Sequence, residues 1–321
     1  MNLLEYLRSK TQVDLDTFDI EVEAARELRG CIDCTSNQYE YYTELSKDNR
    51  KDILQKALEL AAKWHDNFSS IRMEELAVEA AIIATGKRES YTFTSRGYLI
   101  REFIDAGYHE LFTIIDETFD RSRVVMKVPA TWEGLQACRE LRDHEIKTLA
   151  TTLFTMEQVV LAGEVGCVSI SPFLHELKAL FDQSYHDENP LLELCVKAQK
   201  WYEQNSLPTR VKACANIGLD EILQLAGVAA FTVVPDDLRL LASTRKTDEE
   251  SVNVSLFAEQ SQEGSKIEYP SYIDEEEKYR CDFACVDEGM AQLKLAQAIQ
   301  IFCDFQSKAE AIVRAAKERD A

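Results

Sequence analysis

Proline and glycine are scarce, 6 and 11 among 321 residues. A collagen-like or low-complexity chain needs far more of both, and 45% apolar residues are ample for a packed core. No apolar run reaches the roughly 20 residues that cross a bilayer. The opening MNLLEYLRSKTQVDLDTFD lacks the basic, apolar and small-residue succession of a signal peptide. Basic residues are outnumbered, 36 against 57, for a formal charge of −21. That surface repels phosphate polymers and anionic lipid, which argues against nucleic-acid and membrane partners. Histidines number only five, and neither they nor the cysteines stand at metal-ligand spacing, so no metal or cofactor is expected. Nine scattered cysteines without a signal segment predict reduced thiols and a cytoplasmic protein. There is no linker, no internal repeat and no G-x-G-x-x-G turn after the first apolar run, which removes the usual sign of a dinucleotide-binding sheet.

What is present is an alternation. Short apolar runs at 13–15, 31–36, 90–94, 124–128, 148–153, 167–171, 210–215 and 229–234 read as strands. Their apolar residues are continuous rather than alternating, as in a parallel sheet covered on both faces. Between them, 52–64, 99–108, 132–144, 156–166, 191–204 and 219–227 carry apolar residues at spacings of three and four, the helical period. Strand–helix alternation gives either an open doubly wound sheet or a closed barrel. Eight units in about 235 residues favour the barrel, since a barrel takes about 250 residues. The expected fold is therefore α/β: a single (β/α)8 TIM barrel spanning 1–321, with additional C-terminal helices from about 286 to 320. The polar stretch 245–284, with DEEEK at 274–278, reads as a surface excursion.

Lys127 is the residue out of place. It stands in VVMKVPAT, flanked by apolar strand positions. Lysine is rarely buried without a reason. A desolvated amine loses its preference for the charged form and becomes a nucleophile. The alternative is a lysine paired with a carboxylate inside the barrel. Lys212, on the seventh run, raises the same choice and reads as a paired or surface lysine. Cys31 and Cys34, three apart on an extended run, stand about 10 Å apart on opposite faces, too far for a disulfide.

The segment VVMKVPATWEGLQACREL, followed by LATTLFTMEQVVLAGEVGCVSISPFLHEL, resembles transaldolase. TQVDLDTFDIE, IDCTSN, NIGLDEILQLAG and TVVPDDLRLLAS resemble the family's first, second, seventh and eighth units, so the likeness runs from about 4 to 318. It implies a class I aldolase barrel of the pentose phosphate pathway type, in which a lysine forms an imine (Schiff base) with a ketose, a carbon–carbon bond breaks and a dihydroxyacetone unit passes to an aldehyde. By position Lys127 matches the imine lysine, Asp16 the general acid/base, Asn37 the residue holding the donor hydroxyls and Thr151 the residue placing a catalytic water. Ser171 and Phe173 match the serine and phenylalanine of I-S-P-F. Read alone, Asp16 could be a helix cap, Asn37 a turn residue, and Thr151 and Ser171 ordinary strand positions. Trp132 reads as packing.

Three departures stand beside the matches. The family's third-strand glutamate falls at Tyr91 or Thr92, with Glu89 out of phase, and Tyr91 is the expected substitute for holding the water. The arginine expected in S-P-F-x-x-R is Glu176, and the one in S-F-R-N-I-G is Ala215 or Ile217. A carboxylate about 4 Å from a phosphate repels it by roughly 1–4 kcal/mol, so the expected substrate is a small carbonyl compound without a phosphate. His175 and Glu176 become candidates for binding it, unless both face solvent. Gln38 replaces the proline after Asn37. An active enzyme, monomeric or homodimeric, is the main expectation. A non-catalytic transaldolase-like barrel with a binding or regulatory role is the alternative.

Overall fold

Eight strands in the computed structural model close a barrel in sequence order, and β1 pairs with β8 to complete it. The structure describes residues 1–17, 31, 33–66, 72–86, 91–94, 124–245, 255–258 and 268–320. The strands are β1 (Gln12–Asp16), β2 (Cys34–Thr35), β3 (Tyr91–Thr94), β4 (Val125–Pro129), β5 (Lys147–Leu153), β6 (Ser169–Pro172), β7 (Arg210–Ala213) and β8 (Ala230–Val233). All pairings are parallel. The eight apolar runs therefore sit where the pattern placed them, and the seven strands whose side chains are described are largely buried.

The outer helices are α1 (Leu3–Arg8), α2 (Gln38–Leu45), α3 (Lys51–Trp64), α4 (Met73–Gly86), α5 (Trp132–Asp143), α6 (Met156–Glu164), α7 (Lys178–Phe181), α8 (Leu192–Gln204), α9 (Leu219–Gln224), α10 (Pro235–Ser243), α11 (Glu276–Cys285) and α12 (Met290–Asp320). The helix expected at 99–108 lies outside the described residues, as do Glu89 and the stretches 246–254 and 259–267. Side-chain caps start several helices at the C-terminal end of the barrel. Thr131 Oγ1 accepts from Gly134 N (2.9 Å), and Asn37 Oδ1 accepts from Tyr39 N (2.9 Å) and Glu40 N (3.3 Å). Each satisfies amides that the first helical turn leaves without partners.

Residues 276–285 correct the reading of 245–284 as a surface excursion. Instead of a loop they form α11, whose Tyr279 and Phe283 are buried along with the preceding Tyr272. Tyr279 lies 5.4 Å from the Trp132 ring, so Trp132 packs. The acid run supplies the exposed first turn, where carboxylates favour the helix dipole, while aromatic residues seven and four apart make the buried face.

α12 is 31 residues long, about 46 Å at 1.5 Å per residue. It packs against α2, α3 and α4. Glu310, itself buried, accepts from Arg72 at 2.5 Å. At its other end Phe302, Leu295, Ala298 and Ala291 join Phe154, Phe173, Leu177, Cys214 and Phe283 in a second apolar cluster over the mouth of the barrel. Among the described residues no helix is long and apolar enough to cross a membrane.

Candidate active site

A cavity of about 300 Å³ opens at the C-terminal ends of the strands, beneath α12. Barrel enzymes place catalysis at this end because the loops that follow the strands are free to vary there. Its floor and walls bring together Asp16 from β1, Thr35 from β2, Asn37, Lys127 from β4, Ser171 from β6 and Phe173 just after it. The outer wall is apolar: Leu177, Leu180, Phe181, Val234 and Phe302.

Lys127 is 5% exposed. The register pairs it with Thr94 and Leu149. Among the described residues no carboxylate forms an ion pair with its amine, and it is the only cation on the cavity wall. Lys212 is the opposite case. Its ammonium lies 2.8 Å from Asp14 Oδ2 and is also bonded to Asp33. Burial alone would lower the Lys212 pKa, but the two carboxylates carry it above the usual lysine value. One interior lysine is thus held charged in a triad, while the other faces the cavity.

Asp16 accepts a hydrogen bond from Thr35 Oγ1 at 3.3 Å. Burial raises its pKa above the usual carboxylate range, with the Lys127 charge pulling the other way. Glu40, on the first turn of α2, lines the same cavity, and its carboxyl is pushed up to about 8 by burial and then by the negative charge of Asp16. Burial pushes the Cys214 thiol up to about 12, so the cavity's thiol stays protonated and is a poor nucleophile.

Thr151 is buried on β5, register partner of Pro129 and Ser171, and its Oγ1 has no hydrogen-bond partner among the described residues. An orphaned buried hydroxyl is a place for a water or a ligand. The next residue, Thr152, has φ +58 at a register shift between β5 and β6. Branched residues seldom adopt this left-handed backbone, and the irregularity directly follows Thr151, which is buried on β5 but is not among the residues lining the cavity. Gln158, fully buried, ties down both adjoining loops: its Nε2 donates to Ala130 O (2.8 Å) and its Oε1 accepts from Phe154 N (2.8 Å). Ala130 and Phe154 follow the strands that carry Lys127 and Thr151. Sequence reading gave no sign of Gln158, because an amide on a helix is ordinary until its partners are known.

His175 and Glu176 are not on the cavity wall, nor do they face solvent. Both are buried and hold neighbouring elements. Glu176 Oε2 accepts from Gln297 Nε2 (3.1 Å) and its Oε1 lies 4.0 Å from the Lys294 ammonium, which fastens the β6 loop to α12. His175 Nε2 is 2.6 Å from Glu221 Oε1, and its Nδ1 is 3.5 Å from Asp187. The two residues follow I-S-P-F in sequence, but their side chains are turned to α12 and to Glu221 and Asp187, while Phe173 and Leu177 on either side line the cavity. Tyr91 pairs with Cys34 at the start of β3, and Thr94 is the β3 residue in register with Lys127. The Tyr91 side chain lies outside the described atoms.

The His175 pair predicts a pH dependence of stability. Burial lowers the His175 pKa, but Glu221 and Asp187 outweigh it and raise the value. Burial raises the Glu221 pKa, yet the His175 bond leaves it lowered. The histidine contribution is fully present below about pH 6.5 and lost as pH rises through the elevated folded value. The glutamate contribution is present above about pH 4.5 and lost as pH falls through the lowered one. Melting of the wild type and His175→Gln should therefore differ most near pH 5–6, by about 1–2 kcal/mol, and converge at alkaline pH. A difference that does not change with pH would contradict the ion-pair account.

The profile of the Transaldolase/Fructose-6-phosphate aldolase family matches residues 13–313. The chain belongs to that family. Among curated relatives, a transaldolase from Kluyveromyces lactis is 32% identical over 192 residues, 58% of this chain and 55% of its own length. Transaldolases from Gibberella intermedia and Fusarium oxysporum f. sp. lycopersici are 27% and 29% identical over 234 residues, 71% of this chain and 70% of theirs. The matched part thus spans a little over half of the first relative. Among the described residues the cavity wall of this transaldolase-family barrel carries one lysine, two carboxyls and no arginine.

Proposed function

We propose that the chain is a transaldolase-like aldolase or transferase that forms an imine between Lys127 and a small ketone or ketose lacking a phosphate. The observation that carries the reading is the contrast between the two interior lysines. Lys212 is held charged by its ion pairs with Asp14 and Asp33, whereas Lys127 stands in the cavity with no ion pair among the described residues. An amine that is not locked in a salt bridge can give up its proton and attack a carbonyl. Asp16, on the same wall, is placed to take the proton from the donor's β-hydroxyl. The electrons of that O–H bond then form the aldehyde carbonyl, the carbon–carbon bond breaks, and its pair flows into the protonated imine. Asn37 and Ser171 are the wall's groups that would bond the donor hydroxyls, and Thr151, the register partner of Ser171 and with an unpartnered buried hydroxyl, is suited to hold a water behind the wall.

The substrate class follows from charge. Among the described residues the wall offers a phosphate no cation except the reacting lysine, and it offers two carboxyls. Glu176 is engaged with α12, and Ala215 on the wall has no donor side chain. The apolar outer wall suits a neutral group in that place, and the two carboxyls would favour a cationic group over an anionic one.

Borohydride trapping followed by peptide mass spectrometry tests both parts. Dihydroxyacetone should give a reduced adduct on Lys127 that Lys127→Met abolishes, and fructose 6-phosphate should give a weaker one. A stronger adduct with the sugar phosphate would overturn the substrate class alone. No adduct from any carbonyl offered would favour the non-catalytic barrel.

A further inference from the structure

We propose that Glu40 is a second proton-transferring group of the Lys127 site, the acid that protonates the departing oxygen during imine formation. The proposal rests on the imine reading above and adds to it a residue outside the transaldolase motif.

Two Asn-x-x-Glu segments in this chain make the comparison. At α1, Asn2 and Glu5 form a complete capping box: Glu5 N donates to Asn2 Oδ1 (2.8 Å), and Asn2 N donates to Glu5 Oε2 (3.0 Å). At α2 the same spacing is present with Asn37 and Glu40, and the asparagine half is made in the same way. The glutamate half is not. The Glu40 carboxyl does not reach back to the Asn37 amide but lines the cavity beside Asp16 and Lys127. A carboxylate on the first turn of a helix is ordinarily stable as a charged, solvated or capping group. Glu40 forgoes the capping bond and stands, half-buried, on the cavity wall next to another carboxyl.

The charges around it are these. Asp16 from β1 repels its ionised form, as does Glu44 from its own helix; Lys127 from β4 and Lys47 from its own helix favour it. Lys47 is already bonded to Glu44 at 2.6 Å, and Glu44 also bonds Arg50. From α12, Lys308 is placed over the rings of Tyr42 and Phe305, at 5.7 and 4.6 Å. With Asp16 buried close by, two carboxylates cannot both ionise without cost, and one of them keeps a proton near neutrality.

That proton has a use. The free amine of Lys127 adds to the ketone carbon, a C–N bond forms, and the carbonyl pair moves to oxygen, which takes up the proton the nitrogen releases. The resulting carbinolamine must then lose hydroxide, a poor leaving group. Protonation by the Glu40 carboxyl lets it leave as water, the nitrogen lone pair closes the C=N bond, and a protonated imine faces a Glu40 carboxylate. Hydrolysis of the product imine runs the same steps in reverse, with Glu40 drawing the proton from the attacking water.

The test is the rate of borohydride-trapped imine formation with dihydroxyacetone, from pH 5 to 10, in wild type, Glu40→Gln and Glu40→Asp. The wild-type rate should fall along an alkaline limb near pH 8, where Glu40 gives up its proton. Glu40→Gln should be slower by about 10²–10³-fold and lack that limb, and Glu40→Asp should recover part of both. A Glu40→Gln rate like the wild type's, or a slowing equal at every pH with the limb kept, would overturn the proposal and leave the imine reading standing. Absence of any adduct in the wild type would overturn both.

Discussion

Lys212→Met is expected to destabilise the protein by about 3–5 kcal/mol at neutral pH, enough to threaten folding. Asp14 is fully buried and Asp33 partly so, and both depend on the one ammonium. Removing it strands their charges in the barrel interior, and desolvation, which already lifts the Asp14 pKa, goes unopposed. The variant should regain stability as pH falls, because Asp14 then folds as a neutral acid and the loss is confined to higher pH. Urea unfolding at pH 5 and pH 8 measures this. A loss below about 1 kcal/mol at pH 8 would mean that solvent reaches the triad freely. Replacing all three members with apolar residues should recover much of the loss, since a buried ion pair contributes little beyond what good packing supplies.

Glu40→Gln should do the reverse and make the protein more stable, increasingly so as pH rises. With its pKa raised from 4.5 to about 8, Glu40 binds a proton in the folded state that it has lost in the unfolded chain. Wild-type stability then falls with pH across that window. The glutamine keeps the shape and has no proton to lose. The two proteins should melt alike at pH 4 and separate up to about pH 8, by about 2–4 kcal/mol once solvent at the cavity mouth is allowed for. Equal melting at pH 8.5 would show that Glu40 ionises as freely as a surface carboxylate. Loss of rate together with gain of stability is the usual mark of a group kept for function.

The strands were legible because a parallel barrel leaves them apolar on both sides, so each reads as an unbroken run bounded by helical spacing. Lys127 was legible for the same reason: a charge stands out in such a run. Which carboxylates hold Lys212 was not. VVMKV and RVKAC look alike locally, and the partners that hold Lys212 come from other parts of the chain, Asp33 being 179 residues away. Glu40 was hidden by ordinariness, since acids are common on first helical turns and only its missing capping bond marks it. His175 and Glu176 were singled out for their closeness to I-S-P-F, but which way a side chain points just past a strand end depends on partners far along the chain, here Glu221 and the Gln297 amide.

The site is assembled from both ends of the chain. Barrel closure needs only β8, which ends at Val233, but the roof comes from Phe302 on α12, which starts at Met290. During synthesis the ring of strands can therefore close while the cavity still lacks its lid, and its apolar rim of Leu177, Leu180 and Phe181 stays open until α12 has left the ribosome. At about 5–20 residues per second that interval lasts several seconds. A stop codon between β8 and α12 would leave that face uncovered and open to aggregation.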